Sequence, residues 1–147
     1  MKNILIIGAG KSSSSLIKYL LDKADIENLF LTIGDLDINN AKQLVNNHKK
    51  TNVIQFDVFN DNQRQLEIKN CDLVISMLPA RFHIEVAKDC ITLKKHMVTA
   101  SYISKEMQAL NEQAKENNLV FMNEIGLDPG LDHMSAMKVI DSIRNNK

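Results

Sequence analysis

The fold is decided by the stretch Ile4-Leu5-Ile6-Ile7-Gly8-Ala9-Gly10-Lys11-Ser12-Ser13 near the N-terminus. Its four consecutive large apolar residues predict a strand that is buried on both faces. The glycine pair predicts a tight turn. Apolar residues then recur at helical spacing, at Leu16, Ile17, Leu20 and Leu21. The stretch therefore predicts the order strand, glycine turn, helix.

This glycine turn is typical of an anion site. Gly8 can adopt the backbone angles of a tight turn, Gly10 allows a ligand close to the main chain, and the new helix offers unpaired N–H groups. The pattern matches the dinucleotide-binding fingerprint except that Ser13 stands at the third position, where the fingerprint has Gly or Ala. A P-loop is excluded because Leu5 stands where that motif needs a glycine. The alternative is a tight turn with no ligand.

The composition excludes several classes of function. The 147 residues carry 18 Lys and Arg against 18 Asp and Glu, so no net charge indicates a nucleic-acid partner or an anionic membrane. The N-terminal apolar run is too short for a signal peptide or a membrane span. Cys71 and Cys90 match no metal or redox spacing and are predicted to be small buried residues. We therefore expect a cytoplasmic protein with a reducing environment.

Strand and helix patterns alternate along the rest of the chain. Further apolar runs that predict strands lie at 29–33, 53–56, 73–77, 96–99 and 120–122. Short helical patterns separate these runs, which favours an α/β fold with a doubly wound parallel sheet. We expect a Rossmann fold of six strands in the order 3-2-1-4-5-6.

Two helix starts are predicted late in the chain. Ser104 is expected to cap a helix that carries Met107, Leu110 and Ala114 on one face. The Pro-Gly pair makes the segment 124–130 irregular, and Asp132 is expected to cap a final helix after it.

Asp35 strengthens the nucleotide interpretation. It lies 22 residues after Ser13, at the end of the second predicted strand. This is close to the spacing of about 20 residues at which an acid binds the adenosine ribose in dinucleotide-binding folds. A carboxylate there repels a 2′-phosphate, which favours NAD(H) over NADP(H). Asp37 is a rival for this role, and a plain turn aspartate is the other alternative.

Ligands bind at the carboxyl ends of the strands in an open parallel sheet, so the loops there hold the other candidates. Asp57 and Val58 follow the third strand, although Asp57 can equally be a helix cap. Ser76 either bonds a ribose or simply ends its strand. Tyr102 can orient or protonate a substrate, or it can pack under its loop with a wet hydroxyl.

Asp128 and the four histidines complete the candidates. Turn constraint and partial burial are expected to raise the pKa of the Asp128 carboxyl, although an aspartate before proline also starts ordinary turns. No two histidines have the spacing of a zinc site, so no metal is expected. His83 and His133 follow candidate loops, but a lone histidine at a helix start is more often at the surface.

Several segments together resemble the saccharopine dehydrogenase family, above all its glutamate-forming branch. The likeness covers nearly the whole chain, and its most specific segment is Asn123–His133. The other segments are Gly8-Ala9-Gly10, Asp72–Pro79, Phe82-His83, Lys95–Thr99 and Ser101–Ser104. The resemblance implies a nicotinamide-dependent oxidoreductase of lysine metabolism that acts on the secondary amine or imine joining glutamate to 2-aminoadipate semialdehyde. It also implies a homodimer for the full-length enzyme.

The resemblance assigns roles to residues. It implies substrate contacts from Ser101, Tyr102 and Asp128, of which Tyr102 and Asp128 are the candidate catalytic residues. Together with the glycine-turn and strand-end arguments, it gives a candidate cofactor set: Gly8, Ala9, Gly10, Lys11, Ser12, Ser13, Asp35, Leu36, Asp37, Asp57, Val58, Ile75, Ser76, Thr99, Ala100, Leu127 and Pro129. Family members that use NADP(H) tend to have a basic or small residue after the second strand. The acids here depart from that pattern, although NADP(H) stays possible from the family.

The chain is also shorter than family enzymes, which continue into a substrate domain. We expect residues 1–130 to form the dinucleotide-binding domain and residues 131–147 to be a final helix leading to a substrate domain that this chain lacks. The chain alone is expected to bind nucleotide with slow turnover or none. The alternatives are a related dehydrogenase of the carboxynorspermidine type and a non-catalytic NAD-binding sensor or interaction module.

Overall fold

Strand β1 (Lys2–Ile7) lies inside a parallel sheet in the computed structural model, which describes residues 1–145. The sheet has six strands in the order β3-β2-β1-β4-β5-β6. Every adjacent pair is parallel, with Ile7 aligned to Gly34 of β2 and to Ser76 of β4. The predicted Rossmann strand order is confirmed.

The helices and strands alternate as predicted. The other strands are β2 (Leu29–Asp35), β3 (Thr51–Gln55), β4 (Leu73–Ser76), β5 (His96–Thr99) and β6 (Phe121–Met122). The helices are α1 (Ser14–Lys23), α2 (Ile38–Val45), α3 (Asp61–Lys69), α4 (His83–Leu93), α5 (Lys105–Ala109), α6 (Asn111–Glu116) and α7 (Leu131–Asn145). Short 3-10 turns at Lys11–Ser13 and Ala80–Phe82 precede α1 and α4.

The core consists of one apolar layer on each side of the sheet. Ile4 and Ile6 of β1 pack in the layer that includes Ile17 of α1. Leu5 and Ile7 point the other way, into the layer that includes Val86 of α4. Alternate side chains of a strand face opposite sides, and because both sides of the sheet are covered, Ile4, Leu5, Ile6 and Ile7 are all buried. The prediction of a strand buried on both faces is confirmed, and each such side chain contributes about 1.5–3 kcal/mol of stability.

Two details of the predicted helices are wrong. The helix expected after Ser104 is two short helices, α5 and α6, that meet at Leu110. Helix α7 begins at Leu131, so Asp132 lies in its first turn instead of capping it. The Asp132 carboxylate instead accepts a hydrogen bond from the backbone N–H of Gly130, at 3.0 Å.

Other local predictions hold. The Ser104 hydroxyl accepts a hydrogen bond from the N–H of Met107, at 3.2 Å, and so caps α5 as expected. Cys71 and Cys90 are free thiols buried in the apolar layer beside α4. Among residues 1–145, no helix has both the length and the apolar character that a membrane crossing requires. The last two residues of the expected final helix, 146–147, lie outside the described part of the chain.

Candidate functional site

The turn after β1 needs glycine at one position and leaves another open. Gly8 has φ +101°, and a Cβ there would lie 2.9 Å from the carbonyl oxygen of Met77. The Gly8 carbonyl accepts a hydrogen bond from the buried Ser13 hydroxyl, at 2.8 Å. Gly10 has ordinary extended angles, and a Cβ there would meet nothing within 4 Å. The buried Ser13 hydroxyl therefore holds the turn at Gly8, and the space beside Gly10 is open.

Asp35 reaches from the end of β2 to this turn. Its Oδ2 accepts a hydrogen bond from the N–H of Ala9, at 2.6 Å. Its Oδ1 accepts from the N–H of Asp37, at 3.0 Å, and from the side-chain amide of Asn40, at 3.2 Å. Asp37 instead caps α2, with its carboxylate accepting from the N–H of Asn39. Of the two rival acids, the structure therefore places Asp35 beside the glycine turn.

A cavity of about 360 Å³ lies next to Asp35, at the carboxyl edge of the sheet. Most of its wall is apolar, and the Asp57 carboxylate is engaged with the N–H of Phe59, at 2.9 Å. The rings of Phe59 and Phe82 meet edge to face with centroids 5.1 Å apart. The cavity brings together five predicted residues, Gly8, Asp35, Leu36, Asp57 and Val58, with Ile7, Gly34, Phe56, Phe59, Leu78 and Phe82.

Two groups stand out among the other predicted cofactor residues, and Ser12, Asp37, Ala100, Leu127 and Pro129 belong to neither of them. Ala9, Gly10 and Lys11 line a second opening together with Ser14 and Asn40. Several of the rest do not offer a free side chain: Ile75 is buried in an apolar layer, and Ser13, Ser76 and Thr99 are buried and bonded within the protein. Any role for those four residues in binding must come through the backbone or through a neighbour.

His83 is a site residue that sequence reasoning missed. It is 3% exposed, so the expectation that it lies at the surface is wrong. Its Nδ1 is 2.8 Å from the hydroxyl of Ser76, and its Nε2 is 2.8 Å from that of Ser101 and 3.1 Å from that of Thr99. Burial lowers its pKa, so the ring is neutral at physiological pH.

Tyr102 and Asp128 meet on the far side of the site. The phenol donates a hydrogen bond to the Asp128 carboxylate, with the two oxygens 2.5 Å apart. This bond raises the pKa of Tyr102 to about 12. Tyr102 is 58% exposed and Asp128 is exposed as well, so the partial burial expected for Asp128 is wrong. The two side chains are hydrogen-bonded to each other, but both are exposed to water.

The loop that carries Asp128 is held to the segment 101–103 by Glu124. The N–H of Glu124 donates to the carbonyl of Ser101, at 3.1 Å, and the Glu124 carboxylate accepts from the N–H of Ile103, at 3.0 Å. The Asp128-Pro129 peptide is cis. Gly130 has φ +144°, and a Cβ there would lie 2.2 Å from the carbonyl oxygen of Gly126, so only glycine fits.

Asp132 and His133 follow this loop and extend the polar group. His133 Nδ1 lies 2.8 Å from the Asp132 carboxylate, and this contact raises the pKa of His133. Ligand atoms of Asp128, Asp132 and His133 lie within 4.8 Å of one another, all on exposed residues. The expectation of no metal rested on histidine spacing, which does not detect such a group. Exposed acidic groups of this kind are common without an ion.

Comparison with known proteins finds one family repeatedly. A family model described as the saccharopine dehydrogenase NADP binding domain matches residues 4–122. A saccharopine dehydrogenase (NADP(+), L-glutamate-forming) of Pyricularia oryzae is 37% identical over 142 residues, which is 97% of this chain and 31% of that protein. The mitochondrial alpha-aminoadipic semialdehyde synthase of Rattus norvegicus is 37% identical over 145 residues, 98% of this chain and 15% of that protein.

Solved structures agree with these sequence matches. The apo saccharopine dehydrogenase (L-Glu forming) of Saccharomyces cerevisiae superposes with a TM-score of 0.86 and 34% identity, over 99% of this chain and 32% of that one. More distant dehydrogenases, such as WlbA in complex with NADH at 15% identity and a TM-score of 0.58, share the fold alone. The chain spans a third or less of the length of these first relatives.

Proposed function

Since this chain belongs to the family of saccharopine dehydrogenase NADP-binding domains, we propose that it binds a nicotinamide dinucleotide across the turn Gly8–Ser13. We further propose that it forms the cofactor domain of an oxidoreductase acting on the CH–NH bond of a saccharopine-like amino acid in lysine metabolism. The observation that carries the proposal is the contact between Asp35 of β2 and the N–H of Ala9 in the glycine turn, beside an apolar cavity.

The residues around the turn fit a dinucleotide. The open space at Gly10 allows a pyrophosphate close to the backbone, at the start of the helical segment where N–H groups favour an anion. The apolar cavity beside Asp35 has the size and character for an adenine ring, with the carboxylate at its edge for the ribose hydroxyls. When bound, the cofactor supplies or accepts the hydride. The protein supplies position and charge.

Asp35 favours NAD(H) over NADP(H) in this proposal. A 2′-phosphate would stand beside a carboxylate already held in place by two backbone N–H groups. The P. oryzae and S. cerevisiae relatives are named as NADP(+) enzymes, so the proposed preference differs from theirs.

Asp128 and Tyr102 are proposed to handle the proton on the substrate nitrogen. Oxidation of a secondary amine needs the nitrogen to lose a proton before the carbon gives up its hydride, and an Asp128 carboxylate can accept that proton. In the reductive direction the same group returns it. Tyr102 is protonated at neutral pH, as an ordinary tyrosine is, and its O–H donates to the carboxylate and holds it in place. Ser101, next to Tyr102, contacts the substrate or the nicotinamide.

A non-catalytic NAD-binding module is the second candidate, and the exposure of the Tyr102–Asp128 pair favours it for this chain taken alone. Saccharopine-dependent formation of NADH, if it is observed, decides for the oxidoreductase. We expect nucleotide binding with slow turnover or none from the purified 147-residue chain. Steady NADH production that Asp128→Asn abolishes would rule out the non-catalytic module.

The compartment and the assembly are further proposals. Cys71 and Cys90 are buried free thiols, and burial raises the pKa of Cys71 to about 11 and that of Cys90 further. Unpaired thiols suit a reducing compartment, and we propose a cytoplasmic location. We also propose that the protein acts as a homodimer, as the family resemblance implies.

The direct test of the binding site is a calorimetric titration of the chain with NADH. The Gly10→Val variant should fold normally, because Gly10 has extended backbone angles and open space around its Cβ position. The same side chain would occupy the space that we assign to the pyrophosphate, so NADH binding should be lost. Ser15→Val, which places the same side chain on the exposed surface of α1, is the matched control and should bind like wild type. Equal NADH binding by Gly10→Val would place the nucleotide elsewhere.

A further inference from the structure

His83 joins three segments that meet at the carboxyl edge of the sheet. Ser76 ends β4, Thr99 ends β5, and Ser101 follows in the next loop. Ser76 and Thr99 are neighbours in the parallel register, and the His83 ring lies within hydrogen-bond distance of all three hydroxyls. A buried imidazole with both nitrogens engaged is held in one orientation.

Ser101 is the end of this network that a ligand can reach. Ser76 and Thr99 are buried, whereas Ser101 is only partly buried. The Thr99 hydroxyl also accepts a hydrogen bond from the N–H of Ser101, at 3.3 Å, so both the backbone and the side chain of Ser101 are tied to the network. The buried His83 and Thr99 side chains thereby fix the orientation of the accessible Ser101 hydroxyl.

The strand order indicates which part of a ligand meets Ser101. On the proposed function, Asp35 of β2 holds the adenosine ribose and the turn after β1 holds the pyrophosphate. The strands continue in the order β2-β1-β4-β5, so the second nucleotide extends over the ends of β4 and β5. The polar group of a nicotinamide ring is its carboxamide, which both donates and accepts hydrogen bonds.

We propose that His83 is a positioning residue that holds the Ser101 hydroxyl for a hydrogen bond to the nicotinamide half of the cofactor. The neutral ring has one N–H and one lone pair. With the proton on Nε2, the ring donates to Ser101, whose own O–H is then free for the carboxamide oxygen. With the proton on Nδ1, Ser101 donates to the ring and presents a lone pair to the carboxamide NH₂. This inference rests on the proposed function and deepens it.

The test compares NADH with ADP-ribose, which lacks the nicotinamide, on the 147-residue chain. His83→Gln places an amide near the position of Nε2 and keeps the contact with Ser101, whereas His83→Asn reaches only the position of Nδ1, on the side of Ser76. We expect His83→Asn to weaken NADH binding about tenfold, the effect of one well-placed hydrogen bond, and to leave ADP-ribose binding unchanged. His83→Gln should stay within about twofold of wild type for both ligands.

Ser101→Ala provides a second variant that leaves the buried ring in place. It should weaken NADH binding as much as His83→Asn does, and the double variant should be no weaker than either single variant. Equal losses for NADH and ADP-ribose, or equal effects of His83→Gln and His83→Asn, would show a merely structural histidine and overturn the inference alone. A wild-type chain that binds neither ligand would overturn the proposed function together with the inference.

Discussion

Asp35 makes the sharpest prediction about cofactor preference. We expect the wild-type chain to bind NADH about 100-fold more tightly than NADPH, a difference of about 2.8 kcal/mol. The Asp35→Asn variant should lose at least tenfold of that preference, mainly through tighter NADPH binding. The asparagine oxygen can still accept the hydrogen bond from the N–H of Ala9, whereas its amide NH₂ cannot accept from the N–H of Asp37, so the contact with the turn is kept and the one with Asp37 is lost.

The magnitude follows from the position of the carboxylate. Asp35 is only partly buried, so the effective dielectric constant for its interactions lies between about 20, the value near a protein surface, and about 80, the value of bulk water. At about 5 Å, each pair of unit charges then repels by roughly 0.8 to 3.3 kcal/mol. The 2′-phosphate carries a charge of about −1.5 to −2, so the total repulsion is the pair energy multiplied by that charge. A preference near 3 kcal/mol lies in the lower half of the resulting range of repulsion energies.

Asp37→Asn is the matched control, because it removes the same charge two residues away. Asp37 caps α2, and asparagine caps helices as well as aspartate does, so neither stability nor preference should change much. Paired titrations with NADH and NADPH at constant ionic strength measure all three proteins. The reasoning is refuted if wild type prefers NADPH, or if Asp37→Asn shifts the preference as much as Asp35→Asn.

The tyrosine, the glycine turn and the buried histidine each predict a further measurable change. Asp128→Asn should lower the pKa of Tyr102 from about 12 towards the ordinary value of about 10, seen in phenolate absorbance after subtraction of Tyr19. Gly8→Ala should cost about 2 kcal/mol or more of unfolding free energy in urea, because a Cβ there meets a carbonyl oxygen at 2.9 Å in a backbone conformation that disfavours side chains. Burial lowers the pKa of His83, so as the pH falls its imidazole is protonated in the unfolded chain before it is protonated in the folded one. The free energy of unfolding should therefore fall as the pH drops below about 6.5. That part of the pH dependence should be absent from the urea unfolding of His83→Gln.

The fold was predictable because its strands are continuous apolar runs with clear ends. Ile4–Ile7 is buried on both faces, and such strands need no alternation to be recognised. The break between α5 and α6 was not predictable, since Met107, Leu110 and Ala114 keep helical spacing across it. The start of α7 was shifted by a turn whose geometry depends on Gly130, which only the folded loop defines.

The candidate site was predictable only where local spacing carries information. Asp35 stands at a fixed distance from a glycine motif, so its place beside the turn could be expected. His83 carries no such signal, because its partners Ser76, Thr99 and Ser101 come from separate segments. One signal was available: hydroxyl residues end two strands that are adjacent in the expected order, which places them side by side in a parallel sheet.

The two halves of the candidate site differ in how they meet water, and this separates binding from chemistry. The framework under the proposed cofactor site is buried, and within the His83 network Ser76, His83 and Thr99 are buried while Ser101 is partly exposed. Tyr102 and Asp128 are exposed, where two charges 4 Å apart interact by only about 1 kcal/mol, against about 4 kcal/mol in a partly dry site. Efficient proton transfer in enzymes uses groups whose pKa values are shifted towards the working pH by burial and by neighbouring groups. We therefore infer that efficient turnover requires Asp128 to be shielded from water, whereas the proposed nucleotide site rests on a framework that is already buried.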